Sequence, residues 1–271
     1  IWLNKNPKSF IDTKFSKDFS VLLARVDRNN SIAYNTETGK IIKKWQNIDD
    51  NWIDFAITSV KGCKIATKSN FFLIKVWDYE TCRDKGTLYG FDSHSVHFSG
   101  NGKYLACGTE KGPEVARIWN INNGTFGSFP YIGENSNLHT VVHITSPEPN
   151  RLICCSELQQ PLIFDSNTKE LLFKCECKYK LEEIYEIQSD QHCDIFLVKG
   201  KDIDKENIGL LYRISDGGLI EVFENYKVLD LADGLGIIVC KCDNINDGKL
   251  TSIDYRNLSD PIITSFEIQN E

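Results

Sequence analysis

A large apolar residue, usually followed by Asp or Asn and then by a polar turn, recurs at near-regular intervals along this chain. Nothing else in the sequence constrains the fold as strongly. The instances are Tyr34-Asn35-Thr36-Glu37-Thr38-Gly39, Trp77-Asp78-Tyr79-Glu80-Thr81, Trp119-Asn120-Ile121-Asn122-Asn123-Gly124, Phe164-Asp165-Ser166-Asn167-Thr168-Lys169, Tyr212-Arg213-Ile214-Ser215-Asp216-Gly217 and Ile253-Asp254-Tyr255-Arg256-Asn257. Their first residues stand 43, 42, 45, 48 and 41 positions apart. At such a period each repeat is one supersecondary unit, unable to bury its apolar faces except against the next copy.

The residues between two anchors say what the unit is. In the third, Ser95-Val96-His97-Phe98-Ser99 alternates and leads into a turn at Gly100-Asn101-Gly102. Lys103-Tyr104-Leu105-Ala106-Cys107-Gly108-Thr109 follows, then a turn at Glu110-Lys111-Gly112 and a strand ending in Arg117-Ile118-Trp119. Glycines stand where hairpin loops need positive φ. A fourth short strand is predicted after each anchor, as in Lys40 to Trp45, Glu170 to Phe173 and Leu219 to Phe223. No stretch of ten residues carries a helical period with caps, so the fold class is all-β. Four strands every forty-odd residues is the period of a β-propeller blade. The units fall at about 13–46, 52–90, 94–133, 138–176, 181–224 and 226–269. Ile1-Trp2-Leu3-Asn4 reads as the tail of an earlier anchor, so residues 1–12 are expected to be the remnant of a further blade. One domain over 1–271, with six to seven blades in the ring, is the expectation.

The run from Phe98 to Gly112, followed by Arg117-Ile118-Trp119-Asn120, resembles a WD40 repeat almost throughout, and Trp77-Asp78 is that family's name-giving dipeptide. The other units keep the pattern more loosely, and together they cover residues 13 to 269. The Gly-His pair that precedes a WD40 repeat is missing from every unit. The family's buried Asp–His–Ser/Thr–Trp hydrogen-bond chain is therefore expected to be incomplete, leaving the blades to rely mainly on apolar packing. The resemblance implies a divergent member of the family that binds other proteins, within a larger intracellular assembly. Two alternatives are kept: a regulatory propeller attached to a catalytic region outside this segment, and an enzyme or ligand site in the propeller channel.

Composition narrows the partners. The formal net charge is −7, from 31 basic and 38 acidic residues. A phosphate backbone is repelled on average, so nucleic acid is not expected. The longest apolar runs, Phe71 to Ile74 and Leu235 to Cys240, fall far short of the roughly 18 residues that span a bilayer, so no membrane association is expected either. The chain has no methionine and begins Ile1-Trp2-Leu3. It is expected to be a segment of a longer protein, unless methionines are missing from it and some spacings are slightly short. Ten cysteines are too sparse for a disulfide-stapled scaffold. Cys107, Cys154, Cys155 and Cys240 sit in apolar strand-like runs as small buried hydrophobes, which points to a reducing, cytoplasmic location, the nucleus left open.

Chemistry-bearing patterns are weak. Cys175-Glu176-Cys177 and Cys240-Lys241-Cys242 could each offer two thiolates on one strand face, but structural zinc sites space their ligands across turns, and buried strand cysteines are the preferred reading. Asp243 to Gly248 lacks the oxygen ligand at the third position that a calcium loop needs. Lys174, Lys178 and Lys180 interleave with Glu176, Glu182 and Glu183 as a solvated edge strand. His97 and His143 fall inside first-strand segments, and no nucleophile elbow, zinc-protease helix or phosphate loop occurs. No enzyme activity, cofactor or metal is expected. Aromatic and acidic residues in the links between units are better candidates. Asp49, Asp50, Trp52, Phe91, Asp92, Tyr131 and Tyr179 are expected on one loop face, where exposed Trp and Tyr serve as interface anchors.

Overall fold

The computed structural model describes residues 12–15, 20–27, 30–46, 54–57, 64–69, 73–78, 83–89, 95–99, 101–109, 113–130, 140–145, 151–190, 194–204, 206–225, 228–232, 238–242, 249–254 and 262–267. Within them every regular element is a strand, and the strands form six antiparallel four-stranded sheets, each a meander of consecutive strands. The first holds β1 (Asp12–Phe15), β2 (Val21–Arg25), β3 (Asn30–Asn35) and β4 (Ile41–Gln46). The second holds β5 (Asp54–Ile57), β6 (Lys64–Ser69), β7 (Leu73–Asp78) and β8 (Asp84–Tyr89). The third holds β9 (Val96–Phe98), β10 (Tyr104–Gly108), β11 (Glu114–Asn120) and β12 (Phe126–Pro130). The fourth holds β13 (Thr140–Ile144), β14 (Arg151–Ser156), β15 (Leu162–Asp165) and β16 (Leu171–Lys174). The fifth holds β17 (Leu181–Ser189), β18 (Ile195–Asp202), β19 (Asn207–Arg213) and β20 (Leu219–Glu224). The sixth holds β21 (Val228–Ala232), β22 (Ile238–Cys242), β23 (Lys249–Asp254) and β24 (Ile262–Glu267).

The anchor motif recurs because the hairpin from third to fourth strand needs it. Asn35 Oδ1 accepts from Thr38 N–H at 2.7 Å, Asn120 Oδ1 from Asn122 N–H at 3.1 Å, and Asp165 Oδ1 from Asn167 and Thr168 N–H at 2.9 and 3.1 Å. An Asx side chain thus closes the turn through its own backbone neighbours. In the fifth sheet Arg213 takes that place, and Asp216 pairs with it at 2.7 Å while accepting from Gly218 N–H. Arg151 on β14 pairs with Asp165 at 2.6 Å. Burial works against that carboxylate's charge, but the turn amides and the guanidinium outweigh it and hold its carboxyl below the usual range. The apolar residue just before the turn, Tyr34, Trp119, Phe164 or Tyr212, is buried.

Strand alternation then sorts side chains between two neighbours. On β10, Leu105 and Cys107 pack with Ile74, Val76 and Leu88 of the second sheet, while Ala106 packs with Val142, Leu152 and Phe164 of the fourth. On β14, Leu152 and Cys154 face the third sheet, and Ile153 and Cys155 face the fifth. On β18, Phe196 and Val198 face the fourth sheet, and Ile195 and Leu197 join Leu231 and Ile253 of the sixth. Each apolar cluster thus lies between two consecutive sheets, the arrangement that period-2 patterning on a doubly covered sheet requires. First strands of successive sheets lie beside one another, which puts them at the inside of the stack.

Polar ties join those first strands as well. Ser95 Oγ accepts from Val142 N–H at 3.0 Å, His97 Nδ1 from Ile144 N–H at 3.3 Å, and Gln188 Oε1 from Leu231 N–H at 3.2 Å. His143 Nε2 and Ser189 Oγ are 2.8 Å apart. Side-chain-to-backbone hydrogen bonds therefore supplement the apolar packing expected from the missing Gly-His pairs.

Two expectations need correction. Cys175 and Cys177 lie in the link between β16 and β17, outside any strand, with Cys175 buried beneath the fourth and fifth sheets and Cys177 half-buried. Of the lysine cluster only Lys174 is on an edge strand; Lys178 and Lys180 follow in the same link. The chain leaves the strand there because it must cross from the outside of one sheet to the inside of the next.

Candidate protein-interaction face

Up-and-down meanders with parallel-running first strands sort their connections by side. Loops from second to third strand, and the links from one sheet to the next, emerge on one side; the other two hairpins of each sheet emerge on the opposite one. Of the residues expected on the first side, Asp49, Asp50, Trp52, Phe91, Asp92 and Tyr131 lie outside the described residues. Tyr179 is there, in the link before β17, but it is half-buried. Its ring packs against the cluster between the fourth and fifth sheets, and its hydroxyl donates to the Glu224 carboxylate at the end of β20. It braces the edge more than it projects from it.

Other side chains project. Large exposed apolar residues among the described ones fall into two sets. Ile41, Phe126, Leu171, Leu219 and Ile262 each open an outer strand just after its hairpin, and Ile263 follows Ile262. The remaining three, Leu158, Tyr185 and Ile203, belong to the fourth and fifth sheets, on or beside the link face. Leu158 is 41% exposed in the loop after β14, at φ 57°. Such a conformation is an outlier for a bulky L-residue and is kept only where surroundings fix it. Its N–H bonds the Leu181 carbonyl at the start of β17, at 2.7 Å, tying the loop of one sheet to the first strand of the next. Ile203 is 56% exposed just beyond β18, in a turn closed by Asp202 Oδ1 accepting from Glu206 N–H at 3.1 Å.

The fifth sheet carries this edge outward. β17 has nine residues and β18 eight, more than any other described strand. Leu181 pairs with Asp202 and Glu183 with Lys201, so Ile203 stands one residue past the register of Leu181, and Leu158 bonds that same residue. Two bulges interrupt β17, one of them between Ile184 and Glu186, leaving Tyr185 unpaired. A bulge re-aims side chains, and Tyr185 is 49% exposed toward the inside of the stack, its ring 5.9 Å from Lys201 Nζ.

Below Tyr185 the first strands enclose a recess of about 220 Å³, lined by Ser95, His97, Val142, His143, Gln188 and Ser189 among others. The rings of His97 and His143 lie 4.0 Å apart. His97 Nδ1, His143 Nε2, Ser95 Oγ and Gln188 Oε1 all hold neighbouring strands together, as described above. Among the described residues the one carboxylate at its wall, Glu186, pairs with Lys199 at 2.8 Å. Among the described residues no three His, Cys, Asp or Glu side chains are placed to hold a metal ion. Burial pushes the Cys175 thiol up to about 12, with Asp216 adding to the shift, so it is a poor source of thiolate.

No family model matches the chain, and no curated protein matches it in sequence. Solved structures do match in shape. A crystal structure of the RRP9 WD40 repeats aligns with a TM-score of 0.69 at 12% identity, covering 98% of this chain and 83% of that one. A structure of U3-55K aligns at 0.68 and 12% identity, covering 97% and 82%. A chain in the crystal structure of a mitotic checkpoint complex aligns at 0.67 and 13% identity, covering 95% and 76%.

Proposed function

We propose that this chain, a β-propeller of the WD40 type by its fold, is a non-catalytic interaction module of the cytoplasm. It would hold partner proteins on the link face, at the edge built by its fourth and fifth sheets, within one continuous propeller domain. The supporting observation is Leu158. A partly exposed apolar side chain is held in a left-handed backbone conformation, on the same edge as exposed Ile203, in a loop tied by a backbone hydrogen bond to the first strand of the next sheet. Rigid scaffolds carrying apolar anchors on loops are suited to binding without change of shape. The WD40-type fold is consistent with this role, and one of the similar structures is itself part of a multi-protein complex.

The test is affinity purification with Leu158→Asp and Ile203→Asp combined, beside Phe126→Asp on the opposite face. Partners recovered with the unaltered protein should be lost with the double variant and kept with Phe126→Asp. Equal recovery from all three would reject this face.

A further inference from the structure

Resting on that reading, we infer that the edge of the fourth and fifth sheets takes a basic protein segment carrying at least one large apolar side chain. Exposed carboxylates share the link-side edge with Leu158 and Ile203: Glu176 in the link, Glu182 and Glu183 on β17, Asp204 and Glu206 in the turn after β18, and Glu224 at the end of β20. Against these six carboxylates in the described residues stand four lysines, Lys174, Lys178, Lys180 and Lys201, and Lys201 is already paired with Glu183 at 3.5 Å. The edge is therefore net acidic on a chain whose whole charge is −7. An acidic edge carrying apolar residues repels acidic partners and steers basic ones by complementarity. Nucleic acid offers neither the charge nor the apolar anchor, which leaves a polypeptide segment with Lys or Arg flanking Leu, Ile, Phe or a similar residue.

The experiment is selection of 12-residue peptides from a random display library on the full 271-residue chain, with each enriched peptide then measured as a synthetic probe. Two variants separate the parts of the idea. Leu158→Ser with Ile203→Ser removes the apolar anchors without changing charge; Glu182→Lys with Asp204→Lys and Glu206→Lys reverses exposed charges without touching the core. Enriched peptides should be basic with an apolar residue, and should lose about tenfold or more in affinity for each variant. Their affinity should also fall as ionic strength rises. Peptides that depend on Leu158 and Ile203 but are acidic or neutral, and bind the charge-reversed variant as well, would overturn the basic class and leave the face standing. Peptides indifferent to both variants, or no enrichment above background, would overturn the face as well. Binding of a 20-nucleotide single strand that depends on Ile203 would overturn the polypeptide assignment.

Discussion

Among the described turns Lys169 departs from its repeat. The equivalent turn position holds Gly39, Gly124 and Gly217 at φ 67°, 74° and 70°, whereas Lys169 adopts φ 66° with a full side chain. Left-handed backbone costs an L-residue on the order of 1–2 kcal/mol, partly offset by the greater freedom glycine has when unfolded. Lys169→Gly should therefore raise stability by about 0.5 kcal/mol, reduced a little because the lysine stem lies over Gly127. Gly124 has open space around it, so Gly124→Ala isolates the backbone cost and should lower stability by about 1 kcal/mol. Urea unfolding checks both, as shifts of midpoint at constant slope. The anchor was legible in the sequence because its two parts answer separate needs, an Asx side chain closing the turn and an aromatic ring filling the gap between sheets. Leu158 and Ile203 were not read as anchors. Each is a single apolar residue in a polar loop, Ser156 to Gln160 or Asp202 to Lys205, and that isolation was the available signal.

Strands and seams depend on how closely sheets approach. Gly108 closes β10, and a Cβ there would stand 1.9 Å from the Thr140 carbonyl oxygen at the start of β13. That oxygen belongs to backbone and cannot swing aside. Gly108→Ala should force the third and fourth sheets apart and destabilise the protein by about 2 kcal/mol or more, within the range for core overpacking. A urea midpoint unchanged from that of the unaltered chain would mean that the seam is looser than this. Alternation along β10, β14 and β18 was readable from the sequence, since apolar residues on both faces of a short run signal a sheet covered on both sides. The hydrogen bonds that Ser95, His97 and Gln188 accept across the seams were not, because partners more than forty residues apart follow from the packing angle alone. The bulges of β17 were also hidden, although the 48-residue step between Phe164 and Tyr212, the longest in the chain, is their trace.

The whole molecule combines these scales. Among the described residues the second to sixth sheets bury their faces pairwise in chain order, so link-side loops such as that of Leu158 are tied to the next sheet and vary without cost to the core. The fold class was therefore legible, through a period of forty-odd residues combined with strand alternation and turns inside each repeat. The partner edge was less so, because exposure depends on how far the fifth sheet outgrows its neighbours. Of the residues expected to form it, Tyr179 alone is described, and it braces that edge through Glu224. Hydrogen–deuterium exchange of the chain with and without a captured partner addresses the location of binding directly, since bound surface slows amide exchange locally. Slowing confined to residues 157–161, 175–185 and 201–207 is the expected result. Slowing centred on the opposite hairpins, at residues 121–125 and 214–218, with residues 157–161 unchanged, would contradict it.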